Sequence, residues 1–432
     1  MKDFIIEMGL AADAAGMDEC VANFDAEMRR GLCGAGSLRM LPTYLDPCAI
    51  ADSAPAGRVI AIDAGGTNLR VALAEIDGSG AFDILFRETC PIPGFRQEVS
   101  AREFFDRIAV CLAPVIAQSE RIGFCFSNPT VALPNGDARI LAFTKEVKVS
   151  GAGGIVVGDA LREALKARGL PSEKSVTVLN DAVAAQFGAM ADADAREKHA
   201  AHVGFIFGTG VNACYAERNE NIRKDERLCG KPGATVINTE AGGYDGFPEA
   251  EADRRSIGAT ADPARQRFEK MSSGAYQCDN LLEWIRLAAS GGVFSEGFAV
   301  RVKGLKQIPV GEAAGFCAAP RESGTLAKLC TNAADTAKLR RLIEAFFDRI
   351  AFMLAVMLTA VSLRARDAAR DAALPVRISA EGAAFHGETL LRARLDHYME
   401  SCARAKFGLS HRFVRVEHAT IRGAALAALA GR

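Results

Sequence analysis

Residues 63–70 bring together, in one short segment, the groups that can hold a polyphosphate. They read Asp-Ala-Gly-Gly-Thr-Asn-Leu-Arg and follow a β-rich run. Paired glycines let backbone N–H groups approach a phosphate closely, while Thr67, Asn68 and Arg70 supply hydroxyl, amide and charged donors. Asp63 could hold Mg²⁺ directly or through water. The same residues would also make an ordinary Gly-Gly hairpin, but the accompanying polar groups favour a phosphate site.

A second glycine-rich segment, residues 208–213, reads Gly-Thr-Gly-Val-Asn-Ala. It matches the G-x-G-x-x-A pattern of dinucleotide sites, which requires a helix directly after the glycines. Residues 212–217 have the pattern of a strand instead. We therefore prefer a second phosphate-binding turn and leave the dinucleotide site as the weaker alternative.

Asn180 and Asp181 lie between a predicted strand, residues 175–179, and a predicted helix, residues 182–190. A carboxylate at that point, in a site that excludes water, suits a general base. Aspartate is also a good helix cap, so the pair alone leaves both roles open.

Other polar residues stand in apolar surroundings and would suit a polyol ligand, whose buried hydroxyls need partners. Ordinary loops or solvated helix faces would explain them equally well. The groups are Ser127-Asn128-Pro129, Thr144-Lys145, Asn238-Thr239-Glu240 and Glu269-Lys270.

The composition is that of a folded chain with balanced charge. Its 432 residues hold 52 Lys and Arg against 53 Asp and Glu, and 49% of them are hydrophobic. A disordered chain needs lower hydrophobicity or a larger charge imbalance, and a dominant nucleic-acid surface needs excess cations. We therefore exclude the first class, expect no nucleic-acid partner, and expect two or three domains from the length.

Cysteine usage and the apolar segments predict a cytoplasmic protein without a membrane partner. The twelve cysteines are scattered and form no Cys-x-x-Cys pair, which favours buried thiols in a reducing compartment. His199 and His202 are closely spaced but lack the partner pattern of a zinc site. The first ten residues hold no apolar signal core. The longest apolar run, between Arg349 and Arg364, is shorter than a membrane span of roughly 20 residues and predicts a buried helix.

Strand and helix signals place the polar groups on a repeated scaffold. A strand, a Gly/Thr turn and a returning strand occur at residues 59–76 and again at 202–217. This duplication predicts two α/β lobes, each presenting one turn to a shared cleft. Helices are expected at 268–287 and, with interruptions, at 326–363, and residues 422–427 predict a closely packed helix of small residues.

In order along the chain, these motifs resemble those of the eukaryotic-type hexokinase/glucokinase family, within the sugar kinase and actin-like ATPase superfamily. Residues 63–70 resemble its Asp-Leu-Gly-Gly-Thr-Asn-Phe-Arg phosphate loop, 180–181 match its catalytic Asn-Asp, and 208–215 resemble Gly-Thr-Gly-Cys-Asn-Ala-Cys-Tyr. Shorter resemblances are Met-Leu-Pro-Thr-Tyr at 40–44, Gly-Phe-Thr-Phe-Ser-Phe-Pro at 123–129, Trp-Thr-Lys at 143–145, Asn-Thr-Glu at 238–240, Tyr-Glu-Lys at 268–270 and Arg-Gly-Ala-Ala-Leu at 422–426.

The resemblance implies an α/β protein with the two-lobed actin-like ATPase (ribonuclease H-like) fold. Each lobe would be a mixed β-sheet flanked by helices, with a cleft between the lobes. The smaller lobe would comprise residues 58–181 with the C-terminal helix at about 421–432, and the larger lobe residues 1–57 and 182–420.

The resemblance also implies a role for each matching position. Asp181 would be the base toward the 6-hydroxyl of a hexose, with Lys145 and Arg70 as further catalytic residues. The sugar site would be lined by Ser127, Asn128, Pro129, Thr144, Lys145, Asn180, Asp181, Asn212, Glu240 and Glu269. The ATP phosphates would be held by Gly65, Gly66, Thr67, Asn68, Arg70, Gly208, Thr209, Gly210 and Gly382, and Asp63 would face Mg²⁺ through water.

The implied function is ATP-dependent phosphorylation of a hexose, with glucose as the expected sugar, at the start of glycolysis. Three departures from the family pattern stand at Asn128, Ala241 and Ala383. They motivate an alternative, a catalytically weak or inactive sugar-binding sensor or regulator of the same fold. A third possibility is an actin-like ATPase that works on a protein. The sequence leaves the oligomeric state open.

Overall fold

The computed structural model describes residues 5–6, 9–11, 16–48, 56–95, 97–143, 147–191, 199–320, 324–369 and 371–431. The strands are β1 Leu41–Pro42, β2 Gly57–Ala64, β3 Asn68–Ile76, β4 Phe82–Pro91, β5 Val99–Ser100, β6 Arg121–Phe126, β7 Thr130–Ala132, β8 Ala138–Ile140, β9 Val149–Ser150, β10 Ser175–Leu179, β11 Ala201–Phe207, β12 Val211–Arg218, β13 Ala234–Asn238, β14 Val376–Glu381 and β15 His411–Val414. The α-helices are α1 Met17–Leu32, α2 Ala101–Leu112, α3 Val157–Ala167, α4 Asp181–Met190, α5 Glu226–Cys229, α6 Glu251–Gly258, α7 Arg267–Ser272, α8 Gln277–Ser290, α9 Glu296–Lys303, α10 Glu312–Ala318, α11 Thr325–Leu329, α12 Ala333–Asp367, α13 Ala383–Gly387, α14 Thr389–Tyr398, α15 Ala405–Phe407 and α16 Ala419–Ala430.

The first large sheet has five strands in the order β10-β6-β2-β3-β4. The strands β2 and β3 form the predicted antiparallel hairpin, whereas β2, β6 and β10 run parallel. Because parallel strands end at the same edge of a sheet, Ala64, Phe126 and Leu179 lie along one edge. The residues that follow them are the first glycine turn, Ser127 and Asn180, so the sheet brings three predicted groups to one place.

The central strand β2 is buried on both faces. Ile60 and Ile62 pack in the apolar cluster of α2 and α3, whereas Val59 and Ala61 pack in the cluster of α4 and α16. Successive strand residues point to opposite faces, so helices on both sides require a continuous apolar run. This explains why residues 59–62 of the strand are all apolar rather than alternating.

The second large sheet has six strands in the order β1-β13-β12-β11-β14-β15. Its β11 and β12 form the second predicted hairpin, and β14 runs parallel to β11 with Glu381 opposite Ile206. The turn 208–210 and Gly382 therefore leave the sheet at the same edge. Because β12 is a strand and not a helix, the structure rejects the dinucleotide pattern and agrees with a second hairpin turn.

The helices α4 and α16 pack against each other and against strands of the first sheet, and α4 also contacts β11 and β12. Glycines allow the close approach: a side chain at Gly423 would collide with the Ala184 carbonyl, and one at Gly123 with the Ala424 carbonyl. The predicted small-residue helix near the end of the chain is therefore confirmed. The lobe boundaries stay a prediction.

The helix α12 is long and apolar enough, by length and composition, to cross a membrane, yet 89% of its most apolar stretch is buried inside the structure. Buried ion pairs fix it on two sides. The Arg349 guanidinium lies 2.8 Å from Asp253, and the Arg364 guanidinium lies 2.6 Å from Glu217. The apolar run between these arginines is therefore a core helix, as predicted.

The predicted helix at 268–287 is wrong in one respect, because it is two helices, α7 and α8, separated at residues 273–276. At the break, the Ser273 hydroxyl donates to the Thr209 carbonyl and the Gly274 N–H donates to the Gly208 carbonyl, both at 2.8 Å. The chain leaves the helix to support the second turn, and no local pattern shows that partner.

Candidate active site

The first turn places a carboxylate and a guanidinium side by side on β2 and β3. Asp63 and Arg70 are directly opposite in the hairpin register, and an Arg70 nitrogen donates to Asp63 Oδ2 at 2.7 Å. The Asp63 side chain is 5% exposed, whereas the Arg70 side chain is 45% exposed. Asp63 is thus fixed inside the fold while Arg70 reaches toward solvent, which suits an anionic ligand.

Thr420, in the first turn of α16, also contacts this carboxylate. Its hydroxyl donates to Asp63 Oδ2 at 3.0 Å. The sequence analysis did not include Thr420 among the site residues. The only sequence signal is its place just before the small-residue helix.

The turn itself closes at the sheet edge. The Gly65 N–H donates to the Asn68 carbonyl at 3.0 Å, and the Asn68 amide donates to the Thr67 hydroxyl at 3.1 Å. Thr67 and Asn68 are exposed, and Gly65 and Gly66 are half-buried. The five predicted phosphate-binding residues of this turn, counting Arg70, therefore form one polar rim.

The second turn is supported from two directions. The Gly208 N–H donates to the Gly210 carbonyl at 2.9 Å, and the break between α7 and α8 holds the Gly208 and Thr209 carbonyls. Gly382 packs against its base with φ +116°, a backbone conformation that favours glycine. A side chain there would also collide with the Phe207 carbonyl. All four predicted residues of this turn therefore lie together.

A cavity of about 370 Å³ opens beside the second turn. Its wall includes Gly208, Thr209 and Gly274, with apolar side chains from Leu281, Ile308 and Phe347. Its size and apolar lining suit a planar ring system whose polar tail leaves toward the turn.

Asn180 and Asp181 stand at the start of α4, and the general-base role of Asp181 stays a prediction. Asn180 is the capping residue, because its Oδ1 accepts from the Ala182 N–H at 2.9 Å. Asp181 Oδ1 accepts from the same N–H at 3.0 Å, and the side chain is half-buried. Burial is the main cause of the raised pKa of the Cys125 and Cys214 thiols, and the negative charge of Asp181 raises it further.

A chain of amide hydrogen bonds joins the two sheets next to Asp181. Asn212 Nδ2 donates to Asn180 Oδ1 at 3.2 Å and to Asn238 Oδ1 at 2.8 Å. Asn238 Nδ2 then donates to Glu240 Oε1 at 2.8 Å. Glu269 closes the group, because its Oε2 accepts from the Val211 N–H at 3.2 Å. We call Asn180, Asn212, Asn238 and Glu240 the amide relay.

The relay contains three of the predicted sugar-binding residues and adds Asn238. Asn238 belongs to the polar triplet 238–240, in which the resemblance implies a sugar-binding role for Glu240 alone. Of the remaining predicted residues, Ser127 follows β6, where its N–H donates to the Ala64 carbonyl at 3.2 Å. Asn128 is buried and Pro129 half-buried beside it. Thr144 and Lys145 lie outside the described residues.

Glu381, at the end of β14 in the second sheet, interacts electrostatically with charged residues of the first sheet. Burial raises its pKa to about 7, with Arg415 and Arg70 acting to lower it and Asp63 to raise it. The charges of Asp63 and Arg70, beside the first turn, therefore act on a carboxylate that belongs to the second sheet. Glu381 lies two residues before Ala383, one of the three departures from the family pattern.

Within the described part of the chain, no group of three or more His, Cys, Asp or Glu residues could hold a metal ion by itself. His199 and His202 have ring centres 5.7 Å apart but gain no third ligand among these residues. Mg²⁺ in nucleotide sites is held by one or two carboxylates together with phosphate oxygens and water. A single fixed carboxylate such as Asp63 fits that chemistry.

The two sheets, with their paired hairpin turns, define a two-lobed α/β protein of the actin-like ATPase type. Solved structures agree with this fold. The hexokinase from Schistosoma mansoni complexed with glucose superposes with a TM-score of 0.79 at 22% identity, covering 99% of this chain and 98% of that chain. A second hexokinase crystal structure superposes with a TM-score of 0.77 at 22% identity, covering 98% and 97%.

Family models described as hexokinase match residues 5–190 and 202–430. Hexokinase-3 of Mus musculus is 36% identical over 261 residues, which cover 58% of this chain and 27% of the relative. Hexokinase-1 of Homo sapiens is 32% identical over 299 residues, which cover 65% and 31%. The matches thus span less than a third of these relatives' length. The chain belongs to the hexokinase family, and the resemblance of its motifs is confirmed.

Proposed function

We propose that the chain transfers the terminal phosphoryl group of ATP to the 6-hydroxyl of a hexose, with glucose as the substrate. The observation that supports this most directly is the position of Asp181 beside the amide relay. A half-buried carboxylate next to a row of fixed amide and carboxylate groups suits a sugar, because each hydroxyl needs a partner of its own. The family relatives and the glucose-bound structural neighbour support the same class of substrate.

In this mechanism the relay orients the sugar and Asp181 takes the proton. Asn212, Asn238 and Glu240 already hold one another, so their donors and acceptors are pre-oriented when the sugar arrives. The Asp181 carboxylate lies at the amino end of α4, where it can accept the proton of the attacking hydroxyl. Ser127, Asn128, Glu269 and the predicted Thr144 and Lys145 would complete the sugar site.

The two turns would hold the triphosphate, and the cavity beside the second turn would hold the nucleoside. Phosphoryl transfer has a loose transition state, so positioning and charge neutralisation provide most of the catalysis. Arg70 supplies the fixed positive charge on the first turn. Mg²⁺, when bound near Asp63, would neutralise charge on the phosphates.

Asn180 follows a strand of the first sheet, whereas Asn212 and Asn238 belong to the second. A sugar that contacts all three would be held at the junction of the two sheets and would displace water from the transferred group. We place this reaction in the cytoplasm, at the first step of glycolysis. The twelve cysteines are free thiols, which supports a reducing compartment.

A coupled ADP-release assay with a panel of hexoses tests the proposal. We expect turnover that depends on the sugar, and we expect Asp181→Ala to lower kcat by roughly 10² or more while sugar binding is largely kept. Asp83→Ala, at an exposed position on β4, serves as the control. Sugar binding without turnover would contradict the proposal in favour of a sensor. ATP hydrolysis indifferent to sugar would favour a protein-directed ATPase.

A further inference from the structure

Glu381 has a buried carboxylate oxygen that nothing in the mechanism above uses. Its Oε1 is shielded from solvent and has no hydrogen-bond partner among the residues that the structure describes. A buried carboxylate oxygen without a partner is costly, and native structures keep such groups mainly where a ligand or catalytic role requires them. The oxygen therefore indicates a partner that is not part of the protein.

The position of Glu381 limits what that partner can be. The residue lies opposite Ile206 in the pairing of β14 with β11, so it stands at the edge from which the turn 208–210 leaves. The next residue, Gly382, packs against the base of that turn. A ligand at Glu381 would therefore lie beside the segment proposed to hold phosphates.

The charged groups that act electrostatically on Glu381 come from both sheets. Asp63 on β2 adds a second negative charge, whereas Arg70 on β3 and Arg415, just after β15, oppose it. Two carboxylates held near each other are unfavourable unless a cation separates them. One cation, Arg70, already pairs with Asp63, and the Thr420 hydroxyl contacts the same oxygen.

We propose that Glu381 is a second carboxylate, in addition to Asp63, that holds the divalent cation accompanying the nucleotide polyphosphate. Mg²⁺ sites of this kind use one or two carboxylates, and the pair would come from opposite sheet edges. The proposal rests on the proposed nucleotide binding but not on transfer to a hexose. It gives the cation one carboxylate ligand from each of the two large sheets.

The test measures binding and not turnover. Calorimetry gives the dissociation constant of a non-hydrolysable ATP analogue twice, once with EDTA and once with excess Mg²⁺. The ratio of the first dissociation constant to the second measures the coupling between metal and nucleotide. For Glu381→Gln we expect this ratio to fall roughly ten- to hundredfold, the range for losing a supporting ligand, with metal-free binding unchanged or tighter. Glu381→Asp keeps the charge and should retain part of the coupling. Glu417→Gln, whose side chain is 90% exposed, is the control.

An unchanged ratio in Glu381→Gln would overturn the proposal. Equal weakening of metal-free and metal-bound binding would also overturn it, because that pattern marks a structural role. If Glu381→Gln does not fold, Glu381→Asp decides the question. Partial coupling in this charge-keeping variant would support the proposal, and coupling equal to that of the parent would count against it. Failure of sugar-dependent turnover with the coupling intact would overturn the proposed reaction alone.

Discussion

Asn212 makes more site contacts than any other member of the amide relay, and its replacement provides the sharpest test of the site. Its Oδ1 accepts from the backbone N–H groups of Ala213 at 2.8 Å and Ala241 at 3.2 Å. Its Nδ2 donates to Asn180 and Asn238. One side chain thus ties the turn of the second hairpin to both the first sheet and the segment that bears Glu240.

A fifth, longer contact is the Thr239 hydroxyl, which donates to Asn212 Oδ1 at 3.4 Å. The magnitude follows from the four shorter hydrogen bonds. Each contributes about 0.5–1.5 kcal/mol, and the two at 3.2 Å belong at the low end. We expect Asn212→Ala to lower the free energy of unfolding by about 2–4 kcal/mol. Asn212→Asp keeps both acceptor contacts but turns two donors into a carboxylate that faces two amide oxygens. It should cost less stability and yet damage the sugar site more specifically.

Urea unfolding followed by circular dichroism gives the stability, and calorimetric titration with glucose gives the affinity. We expect glucose affinity to fall at least tenfold, about 1.4 kcal/mol, in Asn212→Asp. The amides of Asn180 and Asn238 cannot rotate to present donors to the new carboxylate without further loss. Asn180 would lose its capping bond to α4, and Asn238 would lose its bond to Glu240. Asn135→Asp, in an exposed turn, is the matched control. The reasoning is refuted if Asn212→Ala stays within 0.5 kcal/mol of the parent (roughly the scatter expected for surface substitutions) and both variants bind glucose normally.

Three further predictions follow from packing and burial. Gly423→Ala should lower the free energy of unfolding by about 2–4 kcal/mol, because the new methyl group meets a carbonyl of α4. Gly315→Ala, in a helix with open space around the new methyl group, is the control and should be neutral or slightly stabilising. Thermal melting compares the stability of the two variants. Gly382→Ala should cost about 1–3 kcal/mol through its positive φ and weaken binding of the ATP analogue, and normal binding would show that the turn adapts. Burial, helped by His199 and Arg377, lowers the pKa of His202 to about 4, so between pH 6.5 and 4 the unfolded chain binds a proton that the folded chain excludes. Stability should therefore fall by about 2–3 kcal/mol as the pH drops through this window, and His202→Gln should flatten the dependence measured by unfolding at pH 7.5 and pH 4.5.

The elements were predictable where chemistry and periodicity agree within a few neighbouring residues. Both hairpins show a short apolar strand, a Gly/Thr turn and a returning strand, and β10 begins and ends where the sequence indicated. Asn180 follows that strand, so its place at the sheet edge needed no knowledge of tertiary contacts. The helix at the end of the chain was equally predictable, because only small residues tolerate such close packing.

The rest depends on partners far apart in the chain. Thr420 contacts a carboxylate 357 positions earlier, and the Ser273 hydroxyl contacts a carbonyl 64 positions earlier. The break at 273–276 includes Ser273 and Gly274, which have low helix propensity, but only the tertiary contact shows what the break supports. The departure from the family pattern at Ala241 leaves one site contact intact. The backbone N–H of Ala241 donates to Asn212, and any residue other than proline supplies that N–H.

The placement of Asp181 depends on glycines that lie outside the site. A side chain at Gly204 would collide with the Ala182 carbonyl, and one at Gly188 with the Ala419 carbonyl. Together with Gly423, these contacts hold α4 against β11 on one side and α16 on the other at backbone distance. Since α4 cannot shift without breaking them, the carboxylate at its first residue keeps a fixed position relative to the strand that bears Asn212. The role of general base proposed for Asp181 requires that precision, and the close helix packing that these glycines allow provides it.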